Sequence, residues 1–105
     1  MIKITLYHFK DGALKGFLIK GHSGSAECGQ DIICSAVSSA AYLTANTLTE
    51  IAGVKAEAKV NDGYMRFVIA DDFKEQSQIV LKGFELHLKQ LEEQYSAYVN
   101  ITTEV

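Results

Sequence analysis

A histidine and a cysteine on either side of a glycine-rich stretch are the residues of this chain best equipped for chemistry. The stretch reads Gly21-His22-Ser23-Gly24-Ser25-Ala26-Glu27-Cys28-Gly29-Gln30-Asp31-Ile32-Ile33-Cys34. Asp31 stands where the N-cap of a following helix is expected, which puts Cys34 at N3, in the first turn. A thiol there faces backbone N–H groups without intrahelical partners and the positive end of the helix dipole, and both favour the thiolate. His22, beside a glycine at the end of a strand-like run, is placed to take or return the thiol proton. Together they have the chemistry of a cysteine nucleophile with a histidine base. Gly21, Gly24 and Gly29 give the backbone freedom needed where a chain turns tightly or a ligand comes close.

Each of these residues also has a plainer role. Cysteine is among the most buried residue types and packs as a small hydrophobe, so Cys34 could be core. His22 alone could be a hydrogen-bonded loop histidine. Asp31 is most simply a cap, although its second carboxylate oxygen could orient the imidazole as the third member of a triad does. A carboxylate close to Cys34 opposes thiolate formation, so capping and loop ordering rank above a proton role for Asp31. Cys28 adds two alternatives. With His22, Asp31 and Cys34 it could complete a zinc site, or it could act as the resolving thiol of a redox pair. The spacing matches none of the compact Cys-x-x-Cys patterns, so neither a metal nor another cofactor is expected. Ser38, one turn after Cys34, shares its helix face and either lines the same cleft or packs as a small residue. His8 reads as a satisfied strand-edge histidine and His87 as solvated. Lys15, Lys55, Lys59 and Lys89 read as ordinary solvated charges.

The elements that must position these residues follow from periodicity. Ile2, Ile4 and Leu6 alternate with polar neighbours as a half-buried strand does, and Asp11-Gly12 turns the chain into a second strand over Phe17 to Lys20. From Ile32 to about Ile51, Ile33, Ala36, Val37, Ala40, Leu43, Thr47, Leu48 and Ile51 recur at helical spacing, with Gly53 as the stop signal. Val54, Ala56, Ala58 and Val60 alternate, Asn61-Asp62-Gly63 is a hairpin turn, and Met65, Phe67 and Ile69 return. Asp71 or Asp72 is placed to cap a second helix with the stripe Val80, Leu81, Phe84, Leu88, Leu91 and Tyr95. Ala97, Val99 and Ile101 close the chain as a strand. The fold class expected is α+β. The order ββαββαβ makes a two-layer sandwich, a five-stranded sheet with two helices packed on one face and the other face partly open.

A chain of 105 residues is expected to form one domain, residues 1–105, large enough for a core without a metal or disulfide staple. Its apolar runs are too short for a membrane span, and the strand-like N-terminus is no signal peptide. A cytoplasmic protein is therefore the default, and there the two cysteines are not expected to form a structural disulfide. The formal net charge of −3 argues against nonspecific nucleic-acid binding, which needs a basic face.

At Gly21-His22, Gly29, Asp31-Ile32-Ile33-Cys34 and Ala36-Val37-Ser38 the sequence resembles the bacterial ribosomal-processing cysteine protease (Prp) family, and the likeness runs over nearly the whole chain. The resemblance implies an endopeptidase that removes a short N-terminal extension from a ribosomal protein precursor, the twenty-seventh protein of the large subunit. It implies a cut after a pair of aromatic residues. Cys34 would be the nucleophile, His22 the general base, Asp31 a supporting residue and Ser38 a site-lining one. It further implies a homodimer and a mobile loop, roughly Gly21 to Gln30, over the site. Cys28 departs from the family pattern and leaves a second thiol in that loop. The alternative from another class is a non-catalytic ribosome-associated assembly protein whose cysteines only pack.

Overall fold

Alternating apolar side chains build the sheet. β1 (Ile2–His8) and β2 (Leu14–Lys20) form one antiparallel hairpin, and β3 (Ala56–Asn61) and β4 (Tyr64–Ile69) form a second. Gly12 and Gly63 take φ values of 93° and 68° in the two turns, a region that costs glycine nothing. β4 pairs antiparallel with β2, and the last strand, β5 (Val99–Glu104), runs parallel to β1, so the mixed sheet has the order β3-β4-β2-β1-β5. Helix α1 (Cys28–Asn46) continues into one π-helical turn, Thr47–Ile51. Helix α2 (Lys74–Gln94) follows a 3₁₀ turn at Asp71–Phe73. The computed structural model describes residues 1–21 and 28–105, with residues 28–31 as backbone only.

The expected ββαββαβ sandwich is the architecture observed. Strand register sets Ile4, Ile19 and Met65 side by side, then Leu6, Phe17 and Phe67, with Ile2 beside Val99. All are buried on the face that both helices cover, in one apolar cluster. From α2 come Leu81, Phe84, Leu88 and Leu91. The ring of Phe17 stacks on Phe67 at a centroid distance of 5.5 Å and meets Phe84 at 4.6 Å. Each buried side chain of this size contributes about 1.5–3 kcal/mol of transfer free energy, so these rows hold the layers together.

Several local expectations change. β2 begins at Leu14 rather than Phe17, because Lys15 is an extra residue between the pairs Tyr7–Gly16 and His8–Leu14. This bulge shifts the phase by one, so Leu14 and Phe17 both point inward. Leu14 pairs with His8 of β1, but on its other side β4 supplies no partner to its backbone. Gln78 of α2 replaces it, accepting from the Leu14 N–H and donating to its C=O, both at 2.8 Å. At the β5 edge of the sheet Glu92 accepts from the Ile101 N–H at 2.6 Å.

In α1 the buried stripe runs through Ile33, Val37, Ala41, Ala45 and Leu48, while Leu43 and Ile51, expected on it, are 70% and 82% exposed. Thr44 is tolerated near this face because its hydroxyl donates to the Ala40 C=O at 2.8 Å. Gly53 does end the helical run, at φ 69°, and the Val54 N–H closes back on the Leu48 C=O at 2.8 Å. Asp71 and Asp72 do not cap α2. They lie in the preceding 3₁₀ turn, and no side chain caps the helix at Phe73. β3 is an edge strand and largely exposed, Ala58 and Val60 included. Among the described residues no helix is long and apolar enough to cross a membrane.

Candidate active site

The end of β2 is tied to two other parts of the chain. Gly21 has φ 92°, its N–H donates to the Gly63 C=O at 3.2 Å, and a Cβ at this position would come within 2.4 Å of the Met1 C=O. Only glycine satisfies both the dihedral and the close approach. The residue immediately before His22 is therefore fixed against the β3–β4 turn and the start of β1. His22, Ser23, Gly24, Ser25, Ala26 and Glu27 lie outside the described residues, as do the side chains of Cys28 and Asp31.

Cys34 is carried by α1 and is 6% exposed, packed in the cluster with Ile33 and Val37. One turn on, Ser38 is half-buried and lines a small cleft with Ile19, Tyr42, Val60, Asn61, Tyr64 and Met65. The cleft holds about 40 Å³, room for a few waters. Asn61 and Tyr64 flank the same turn that fixes Gly21, so α1, the second hairpin and the beginning of the glycine-rich stretch meet at one end of the sheet. The predicted neighbourhood of Ser38 and Cys34 on one helix face is present. The walls supplied by β2, β3 and β4 were not foreseen, because they depend on pairing between β2 and β4 that local periodicity does not reveal.

The helix start differs from the expectation. α1 begins at Cys28, so Asp31 lies within the helix and is not its N-cap, and Cys34 lies beyond the first turn. Cys28-Gly29-Gln30 can adopt helical geometry ahead of Asp31, and an acid in the first turn complements the dipole as well as a cap does. Only the first four N–H groups of a helix lack intrahelical partners, so the N–H of Cys34 is not one of the free donors. The expected stabilisation of a Cys34 thiolate by its own place in the first turn is thus not found.

The other flagged residues fall elsewhere. His8 is half-buried at the end of β1, beside the bulge. His87 is exposed and lines an apolar groove of about 580 Å³ between the helices, with Ala40, Leu43, Val80 and Phe84. Lys15 is not simply solvated, for its Nζ lies 5.5 Å from the Phe9 ring centroid. At the sheet end opposite Gly21, the Lys74 ammonium pairs with Asp11. It holds the Asp11 carboxyl below, and is itself held above, the ordinary value. No trio of metal-ligating side chains occurs among the described residues, a set that excludes His22 and the Cys28 and Asp31 side chains.

Comparison with known proteins gives this geometry a family. Residues 1–100 match the sequence profile described as cysteine protease Prp. A Bacillus subtilis protein named ribosomal processing cysteine protease Prp is 24% identical over 111 aligned residues, covering 100% of this chain and 99% of that protein. The crystal structure of Staphylococcus aureus Prp in complex with a substrate peptide superposes with a TM-score of 0.90 at 19% identity, over 99% of this chain and 100% of that one. Streptococcus mutans SMU.848 superposes with a TM-score of 0.85 at 30% identity, over 99% of both chains. With a profile match along nearly its whole length and the fold in common, this chain belongs to the cysteine protease Prp family.

Proposed function

We propose that the chain is a ribosomal-processing endopeptidase that removes a short N-terminal extension from the twenty-seventh protein of the bacterial large subunit, cutting after an aromatic pair. Cys34 is the nucleophile and His22 the general base. Family membership supports the reaction class, and one observation carries the site: Cys34 and Ser38 lie one turn apart on α1, at the end of the sheet where Gly21 is fixed.

In the reaction His22 takes the thiol proton, and the Cys34 Sγ forms a bond to the scissile carbonyl carbon. Collapse of the tetrahedral intermediate breaks the C–N bond, and the proton passes from His22 to the leaving amine. Water, activated by the same imidazole, then hydrolyses the thioester and restores the thiol. Because Cys34 is nearly buried, the peptide reaches Sγ only when the packing around it opens. The apolar and aromatic walls from Ile19, Tyr42, Val60, Tyr64 and Met65 suit aromatic side chains next to the scissile bond, but the cleft must widen to admit a ring. Asp31 is a supporting residue and Ser38 lines the site.

The test is incubation with a peptide spanning an aromatic-containing N-terminal extension of that ribosomal protein, with products read by mass spectrometry. A single cut is expected from the wild type and from Cys28→Ser. In Cys34→Ala the rate falls on the order of 10⁴-fold or more. Cleavage retained in Cys34→Ala contradicts the assignment.

A further inference from the structure

The sheet face away from the helices is neither bland nor acidic. The strand register arranges its outward side chains in three rows. The first is Asn61, Tyr64, Lys20, Lys3 and Asn100, and the second is Lys59, Arg66, Leu18, Thr5 and Thr102. These two rows hold four cations and no acid in a chain whose formal net charge is −3. In the third row Glu57 and Glu104 stand at the two edges, with Val68, Gly16 and Tyr7 between them. Next to this row a concavity of about 410 Å³ brings Lys15 and Lys55 beside Arg66, Val68 and Glu57. Six of the chain's ten basic side chains therefore border one open surface.

Flat ring surface is interleaved with that charge. Tyr7, Tyr64, Leu18 and Val68 are all only half-buried. Arg66 lies over the Tyr7 ring, 5.4 Å from its centroid, which holds the guanidinium across the strands. Gly16 puts no side chain between Tyr7 and Val68, so the middle of the third row is low. A sheet with aromatic rings between cations offers stacking to unpaired bases and ion pairs to the phosphates joining them. A duplex keeps its bases stacked inside and could use only the cations. An acidic peptide would likewise leave the rings idle.

We propose that this open sheet face binds single-stranded RNA, with Lys3, Lys20, Lys59 and Arg66 on phosphates and Tyr7 as a stacking platform. The site is on the sheet face opposite α1, meets the Ser38 cleft only at Asn61 and Tyr64, and does not depend on the protease assignment.

The experiment measures fluorescence anisotropy of a labelled mixed-sequence single-stranded RNA against the full-length protein over a salt series. Four phosphate contacts predict a slope of log K against log salt of about −3, and each lysine removed lowers its magnitude by about 0.7. Lys3→Glu with Lys20→Glu is expected to weaken binding at least tenfold. Tyr7→Ala, which removes the ring and no charge, is expected to weaken it about fivefold or more at an unchanged slope. Circular dichroism and peptide cleavage by each variant check that the fold is kept. Failure to bind with a dissociation constant tighter than about 10⁻⁴ M at physiological salt overturns the proposal. Equal affinity for heparin or duplex RNA, insensitive to Tyr7→Ala, overturns it too and leaves a general polyanion surface. Binding undiminished by the double charge reversal places the site elsewhere and also overturns it.

Discussion

Gly21 links backbone geometry to the proposed chemistry at the smallest scale. Its positive φ and its contact with the Met1 carbonyl exclude any side chain, and the next residue is the proposed base. Gly21→Ala is expected to destabilise the fold by roughly 1–2 kcal/mol from the dihedral alone, with relief of the clash at Met1 adding to it. Urea unfolding should show a lower midpoint at an unchanged slope. Peptide cleavage should fall by more than the folded fraction explains, because the chain entering His22 is displaced, while Gly12→Ala, at an equally positive φ but in the far turn with nothing near its Cβ, should lose stability without that excess. Equal losses of activity in the two variants would remove Gly21 from the positioning of the site. Cys34 belongs to this scale too: at 6% exposure it is a core residue by packing, and only its reactivity distinguishes a nucleophile from a filler.

At the scale of elements, alternation identified four of the strands, and the Asp-Gly and Asn-Asp-Gly turns identified both hairpins and with them β2, because these signals are local. What escaped was set by tertiary contact. The bulge at Lys15 has no signature in sequence, yet it reorients Leu14 and leaves its backbone for Gln78 to satisfy. The beginning of α1 was misplaced because Asp31 serves a cap and a first turn equally well, and the proposed role of the helix N-terminus at Cys34 went with it. The exposure of Leu43 shows the same limit, since its spacing suited the stripe but neither the sheet nor α2 covers it. Gln78→Leu tests the bridge between α2 and β2. It leaves the N–H and C=O of Leu14 unpaired, and a loss of about 1–3 kcal/mol in the unfolding free energy is expected. A change within error would mean that water replaces the amide at no cost.

Over the whole molecule, the two layers separate two kinds of surface. The helices and the inner face of the sheet enclose the apolar core with Cys34 in it, while the outer face gathers cations that the net charge conceals. Net charge was a poor guide here because it averages over faces that the fold keeps apart. The separation predicts that Lys3→Glu with Lys20→Glu leaves cleavage of a short peptide unchanged, as measured by kcat/KM. A large loss would mean that substrate also crosses the outer face. The Asp11–Lys74 pair, at the far end of β2 from Gly21, joins an exposed carboxylate to a half-buried lysine. The depressed Asp11 carboxyl favours the folded state above the ordinary aspartate range, and that contribution is lost as pH falls through its folded value. Lys74→Met should therefore flatten the acid limb of the stability profile slightly and leave cleavage unaffected.

On the proposed mechanism Cys34 is a nucleophile and not a packed thiol. Iodoacetamide labelling of the native wild type near neutral pH, with modified sites mapped by mass spectrometry and residual peptide cleavage followed in the same samples, tests it directly. Cys34 is predicted to be carboxamidomethylated under native conditions, with activity lost in proportion and both protected by excess substrate peptide. Cys28→Ser should behave identically. A Cys34 that stays unmodified until the protein unfolds, or whose modification leaves cleavage intact, would contradict the account.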